Sequence, residues 1–269
     1  MNKPDGYKFV FLCGLHKSGT SPLFRILREN PGVSGFHDTG EPEEEGQFLQ
    51  TVFPAAKVFG GPGRFGFAQE AHLTEESALL TTENKQKLFG EWSKYWDLAK
   101  PCLLEKSPPN LIKTRFLQAV FPDSYFLVIL RHPIAVSLAT AKWTGSSLES
   151  LITHWLHCHR LFELDRPHLR HVHTLKYEDL ILSTETELER IYGFLGLARY
   201  STVPLNSNGN DRYFKAWREL ALETNGRRLY RDIVSKYEEQ VRSYGYSLVD
   251  CEPTSSAPSA VIPSTDSTI

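Results

Sequence analysis

The stretch Phe9 to Leu23, "FVFLCGLHKSGTSPL", decides how the rest of the chain is read. Five apolar or small residues run up to Gly14, the loop Leu15 to Gly19 follows with a lysine inside it, and Thr20 opens an amphipathic pattern that ends at Asn30-Pro31-Gly32. A buried strand, a glycine-flanked loop and a helix are the parts of a phosphate-binding loop, in which backbone amides and a helix N-terminus face an anion. A Walker A loop needs glycine, four residues, then Gly-Lys-Ser/Thr, so that the lysine reaches the terminal phosphates and the hydroxyl holds magnesium. Here the second glycine, Gly19, falls in place, but Thr20 stands where that lysine is required and the lysine is Lys17, two positions early.

Working outward, further strand-to-loop-to-helix units follow. Cys102 to Lys106 reads as a strand leading to Ser107-Pro108-Pro109 and a helix over 110–120, and Tyr125 to Leu130 as a strand ending at Arg131-His132-Pro133 before another helix. Helices are predicted over 73–98, 147–164, 184–195 and 213–244, with capping by Thr74 and Ser77 in the first, and a strand over 171–175 leads to Tyr177-Glu178-Asp179-Leu180. Such alternation predicts an α/β fold with three layers around a central parallel sheet, P-loop NTPase-like, its ligand site at the carboxyl ends of the strands. The segment 31–72, rich in Gly and Pro and poor in periodicity, is predicted to be irregular, as binding loops are.

At 269 residues the chain suits one domain, 1–250, followed by a Ser/Thr/Pro-rich tail, 251–269, predicted to be disordered. Thirty Lys and Arg against 32 Asp and Glu give a formal charge of −2, which argues against a nucleic-acid partner and for a local anion site. Four scattered cysteines without a CxxC pair point to a reducing compartment, and no apolar run approaches the ~18 residues of a membrane span. The expectation is a cytoplasmic protein.

A magnesium-dependent kinase would also want an aspartate at the end of a strand neighbouring the loop. The strand "FLVIL" ends instead in Arg131, a cation. Two anion subsites and no metal are therefore expected: one at Lys17 to Ser21, the other at Arg131 and the helix opened by Pro133. On these residues the chain resembles sulfotransferases that use 3′-phosphoadenosine 5′-phosphosulfate (PAPS). "GLHKSGTSPL" looks like their phosphosulfate loop, "LVILRHPIAVSLA" like their 3′-phosphate motif, Glu105-Lys106-Ser107-Pro108 like an element of the glycan-type members, and Tyr177-Glu178-Asp179-Leu180 like the segment beside the adenosine. "GEPEEEGQFLQ" and "GGPGRFGF" look like a bacterial branch of the superfamily.

The resemblance implies transfer of the sulfuryl group of PAPS to a hydroxyl or amine with release of adenosine 3′,5′-bisphosphate (PAP). It implies Lys17 on the bridging oxygen, His16, Ser18, Gly19, Thr20 and Ser21 around the 5′-phosphate, and Arg131 on the 3′-phosphate. Ser18 and Thr20 have a blander reading as helix N-caps. The family serine eight residues after the arginine is Ala139 here, so Ser137 or Thr140 is expected to stand in for it. Lys106 is assigned to the sulfuryl group or the acceptor, with an ion pair to Glu105 as its rival; Tyr177 to adenine or to the core; Arg227 and Arg228 to the 3′-phosphate or to a solvated helix start. The general base is expected among Glu43, Glu45 and His37 of an acidic loop whose blander reading is a merely solvated one. That loop disfavours a polyanionic acceptor and favours a small alcohol, phenol, sugar, lipid-like or cationic one. A P-loop kinase and a non-catalytic nucleotide-binding protein are the competing readings.

Overall fold

The structure is a computed structural model describing residues 6–200 and 209–251; the tail expected beyond Cys251 lies outside the described residues. Strand β1 (Lys8–Gly14) is followed by α1 (Thr20–Arg28), β2 (Val33–Gly35), α2 (Thr82–Trp92), β3 (Cys102–Lys106), α3 (Thr114–Val120), β4 (Ser124–Leu130), α4 (Pro133–Thr144) and α5 (Leu148–Asp165). Strand β5 (Val172–Lys176), α6 (Tyr177–Leu182), α7 (Thr184–Leu195), α8 (Asp211–Leu222) and α9 (Gly226–Arg242) complete the order.

The five strands form one parallel sheet in the order β2-β3-β1-β4-β5. Phe9 through Gly14 are all buried, as are all of β3 and nearly all of β4, so both faces of the sheet are covered by helices and loops. This is the expected three-layer α/β arrangement. Phe9, Phe11, Trp92, Phe121 and Phe126 stack in one aromatic cluster within a continuous core.

Two helical expectations are corrected. Of the apolar run over 73–98 only Thr82–Trp92 is an α-helix, because Thr74 and Ser77 spend their hydroxyls on turns, accepting from Glu76 N at 3.2 Å and Leu79 N at 3.3 Å, while Thr81 supplies the N-cap by accepting from Asn84 N at 3.1 Å. The last pattern, expected as one helix over 213–244, is two, α8 and α9, parted at Glu223 to Asn225 where Gly226 packs directly against Leu220. The short edge strand β2 was not expected, since three residues ending in glycine carry no periodicity.

Residues 36–72 hold short 3-10 turns rather than longer elements. Buried glutamines stand in for a sheet ladder there: Gln47 Oε1 accepts from Ala56 N at 2.8 Å, and Gln50 Oε1 accepts from Val52 N and Phe53 N at 2.7 and 2.9 Å. The loop is thereby fixed against the ends of β3 and α2, with Trp92 Nε1 donating to Gly46 O at 2.9 Å. Among the described residues no helix is long and apolar enough to cross a membrane.

Candidate active site

Strand β1 lies between β3 and β4, so the carboxyl ends of three neighbouring strands open into one crevice: Lys106 is paired with Leu12, and Gly14 with Ile129. Gly14 lets the chain fold back at once; a Cβ there would stand 2.6 Å from Ser18 Oγ and 2.8 Å from Ile129 O. Both the amide and the hydroxyl of Ser18 donate to Leu15 O, at 3.0 and 2.7 Å, closing the loop on itself. Lys17 and Gly19 take positive φ, 71° and 105°. Helix α1 then starts at Gly19 without a side-chain cap among the described residues, so neither Ser18 nor Thr20 plays the capping role weighed above and the first amides stay available for an anion.

The ammonium of Lys17 lies 3.1 Å from the ring centre of Trp143, an exposed residue near the end of α4. Partial burial lowers its pKa, Glu43 opposes the shift, and Arg131 and Arg212 add to it. Ser21 donates to Glu43 Oε2 at 2.9 Å. Three cations, Lys17, Arg131 and Arg212, thus share one region, opposed by Glu43 at Lys17 and by Glu178 at Arg131.

Arg131 is nearly buried and each nitrogen of its guanidinium is used: Nε donates to Asn210 Oδ1 at 2.8 Å, one terminal nitrogen to Lys17 O at 2.7 Å and the other to Gly209 O at 2.6 Å. Its plane rests 4.2 Å from the centre of Tyr177, whose ring also packs against Gly19 and Gly209 so closely that a Cβ at either would collide with it. Tyr177 is therefore a spacer between the loop and the 209–210 segment, with one face occupied by Arg131. Buried Glu178 completes the set, accepting from His132 N at 3.0 Å, Asn210 Nδ2 at 2.7 Å and Tyr246 OH at 2.8 Å. Arg212 joins on Tyr213, its Nη donating to the phenol at 2.6 Å. Asn210 and Arg212 were not singled out from sequence, and Glu178 entered only as part of the Tyr177 to Leu180 segment; no spacing marks an asparagine far downstream as the partner of a strand-end arginine.

On the other side of β1, Lys106 has no exposed surface and donates to Glu43 O at 2.6 Å and Glu45 Oε1 at 3.2 Å. The rival pairing with Glu105 is replaced by this one, because successive strand residues face opposite sides of the sheet. Glu105 instead accepts from Gly46 N at 3.0 Å, Ser107 Oγ at 2.5 Å and Asn110 Nδ2, and burial pushes it to about 7. Glu45 is also raised by burial, against the pull of Lys106 and of Gln47, which donates to it at 2.5 Å. Glu43 and Glu44 hold positive φ, 56° and 54°, a conformation that side chains with a Cβ adopt at a cost, and across this turn the run passes from exposed Glu43 to buried Glu45.

Of the three base candidates, the structure brings Glu43 and Glu45 to the lysines. His37 is exposed, 3.1 Å from Asp38 and 3.3 Å from Arg28. The other placements differ from expectation. Ser137 makes no hydrogen bond to Arg131; it is fully buried and lines a recess with Leu15, His16 and Thr140, while Ala139 is buried nearby on α4. Arg227 donates to Ala221 O and Leu222 O at 3.4 and 3.2 Å, capping α8, and Arg228 pairs with Asp232 at 3.7 Å on α9 itself. Both arginines are exposed, with partners in α8 and α9 rather than in the phosphate loop. The four cysteines are free and buried, and no group of three or more His, Cys, Asp or Glu among the described residues could hold a metal ion.

Residues 10–201 match the family described as "Sulfotransferase family". The fold is similar to the sulfotransferase domain of the Synechococcus PCC 7002 olefin synthase, at 18% identity over 91% of this chain and 98% of that one, with a TM-score of 0.51. It is also similar to a sulfotransferase from Alicyclobacillus acidocaldarius, at 18% identity over 88% and 96% of the two chains and a TM-score of 0.45. A mouse sulfotransferase complexed with PAP matches at 14% identity over 83% and 68%, with a TM-score of 0.40.

Proposed function

The chain belongs to the sulfotransferase family, and from that premise we propose that it moves the sulfuryl group of PAPS to a hydroxyl of a small, uncharged acceptor. The observation that carries this reading is the set of three adjacent strand ends. They deliver Lys17, Lys106 and Arg131 to one crevice, with an arginine where a magnesium-binding acid of a kinase would stand. Two subsites follow. The uncapped start of α1 with Lys17 and Ser21 suits the 5′-phosphosulfate, and Arg131 with Arg212 suits the 3′-phosphate.

In the proposed step the acceptor oxygen forms a bond to sulfur while the bond from sulfur to the 5′-phosphate oxygen breaks, and PAP leaves with that electron pair. Lys17 meets the charge that grows on the bridging oxygen, which stabilises the transition state more than the ground state. To do so its ammonium leaves the face of Trp143. Glu45 takes the acceptor proton: it is a buried carboxylate raised above its ordinary range, and therefore a better base than an exposed one. Lys106 holds Glu45 and the Glu43 carbonyl in place and adds positive charge on the sulfuryl side. Four unpaired buried thiols suit a cytoplasmic location.

Calorimetric titration with PAP in the presence of a chelator, followed by transfer of labelled sulfuryl from PAPS, tests the reading. Micromolar PAP binding without magnesium is expected. Binding of ATP with magnesium in place of PAP would make the protein a kinase; PAP binding with no transfer to any hydroxyl would make it a non-catalytic member.

A further inference from the structure

Beside the phosphosulfate loop, a small recess lies between that loop, α4 and α5. Its walls are apolar, from Leu15, Gly63, Val136 and Leu151, except for His16, Ser137, Thr140 and His154. Two polar atoms there are buried and have no hydrogen-bond partner among the described residues: Oγ of Ser137, in a residue with no exposed surface, and Nδ1 of His16. Buried polar atoms in folded proteins are nearly always satisfied, so two orphans lining one recess mark a place where a hydrogen-bonding group belongs. Its innermost space has the scale of one hydroxyl group or one water.

The recess also adjoins the reacting centre. His16 precedes Lys17 in the loop, and its titration responds to Lys106 and Lys17 after burial itself, which together push the imidazole down to about 3. His154, on the opposite wall, is likewise held near 3 by burial first, and its Nε2 accepts from Gly66 N at 3.1 Å. Both rings are neutral at physiological pH. The lining offers neutral donors and acceptors and no carboxylate to receive a cation.

We propose that this recess recognises a second, non-reacting hydroxyl of the acceptor, accepting from Ser137 and donating to His16, and so selects polyols or sugars over simple alcohols and over amines. The inference rests on the sulfotransferase reading of the site. Glu45 remains the group that takes the reacting proton, since a histidine held at about 3 is too weak a base for it. Ammonium groups are disfavoured by the same burial and the same lysines that keep His16 neutral. A simple alcohol leaves Ser137 and His16 unpaired, and sites built to bind a hydroxyl discriminate strongly against analogues that lack it.

The test compares PAPS-dependent sulfation of 1,3-propanediol, glycerol, methyl glucoside, 1-propanol and 3-aminopropan-1-ol by the wild type and by Ser137→Ala. This substitution deletes an unpartnered group, so the fold is expected to keep its Tm. In the wild type, kcat/KM for the best polyol should exceed that for 1-propanol and for the amino alcohol at least tenfold. In Ser137→Ala the advantage should shrink to about threefold or less, through KM, with PAP affinity unchanged. Equal use of 1-propanol or the amino alcohol, no sulfation of any probe, or a polyol preference that survives Ser137→Ala would show that the recess holds water only and overturn the proposal. Loss of PAP affinity in Ser137→Ala would return the serine to the 3′-phosphate and overturn it as well. Absence of PAP binding to the wild type would instead sink the sulfotransferase reading itself.

Discussion

Replacing Lys106 by methionine keeps an unbranched side chain, one atom shorter, and removes its charge. The wild-type ammonium has no exposed surface and donates to the Glu43 carbonyl and the Glu45 carboxylate. Losing a charged donor to a carbonyl costs about 1.5–3 kcal/mol. Removing one partner of a buried ion pair costs about 3–5 kcal/mol, and because this figure includes the first, the expected loss at pH 8 is about 3–5 kcal/mol. Protonation gives Glu45 an escape. Its carboxyl already lies above the ordinary value of 4.5 through burial, and Lys106 is the largest influence pulling it down, so Lys106→Met raises it further. A carboxyl whose folded pKa exceeds its unfolded one favours the folded state when protonated, and stability falls as pH rises from the unfolded value through the folded one. The variant should therefore approach the wild type near pH 4.5 and fall progressively below it towards pH 8. Urea unfolding followed by tryptophan fluorescence at pH 5, 6.5 and 8 measures this for the wild type, Lys106→Met, Glu45→Gln and the double variant. The double variant, having no buried charge to strand, should recover more than half the loss at pH 8. A loss below about 1 kcal/mol that does not change with pH would mean that the pair is screened by solvent, as surface pairs are, and would refute the reasoning.

Lys17→Ala should lower kcat by about a hundred- to a thousandfold, the scale of losing one preorganised group at a developing oxyanion, with Tm unchanged; a near-normal steady-state rate would defeat its assignment. Arg131→Lys cannot reproduce three divergent hydrogen bonds, so PAP affinity by calorimetry should weaken at least tenfold, and an unchanged Kd would place the 3′-phosphate elsewhere. Among Glu45→Gln, Glu43→Gln and His37→Gln, the first should lose about a hundredfold or more in kcat with its pH dependence flattened, while exposed His37 should matter little; equal losses in all three would leave Glu45 without a special role. Binding of PAPS draws Lys17 from Trp143, so tryptophan emission should change on titration in the wild type and stay constant in Trp143→Phe, and a persisting change would trace the signal to another indole.

What the sequence revealed was local. The apolar run to Gly14, the loop lysine and the hydroxyls around the start of α1 lie within fifteen residues, and Arg131 stands at the end of an unbroken apolar strand. Their spacing alone points to a parallel sheet with anion sites at strand ends. Partners brought together by folding were not legible. Lys106 meets Glu45 from a separate loop, Arg131 meets Asn210 and Gly209 from beyond α7, and Trp143 lies over Lys17 because α4 returns past the loop. None of these pairs has a characteristic spacing. The reading of α8 and α9 as one helix failed for a related reason: the apolar period continues across the break, whereas the contact of Gly226 with Leu220 that allows the break is tertiary.

The ring of Tyr177, wedged between Gly19 and Gly209 under the Arg131 guanidinium, has a consequence for how such a site can change. A methyl group at either glycine would have to evict the ring, and eviction would strip Arg131 of its stacking surface. Positions 19, 177 and 209 can therefore drift only as a group. A library that varies one of them at a time should find almost nothing tolerated, whereas one that varies all three at once should find loops of new shape, each suited to a differently contoured donor.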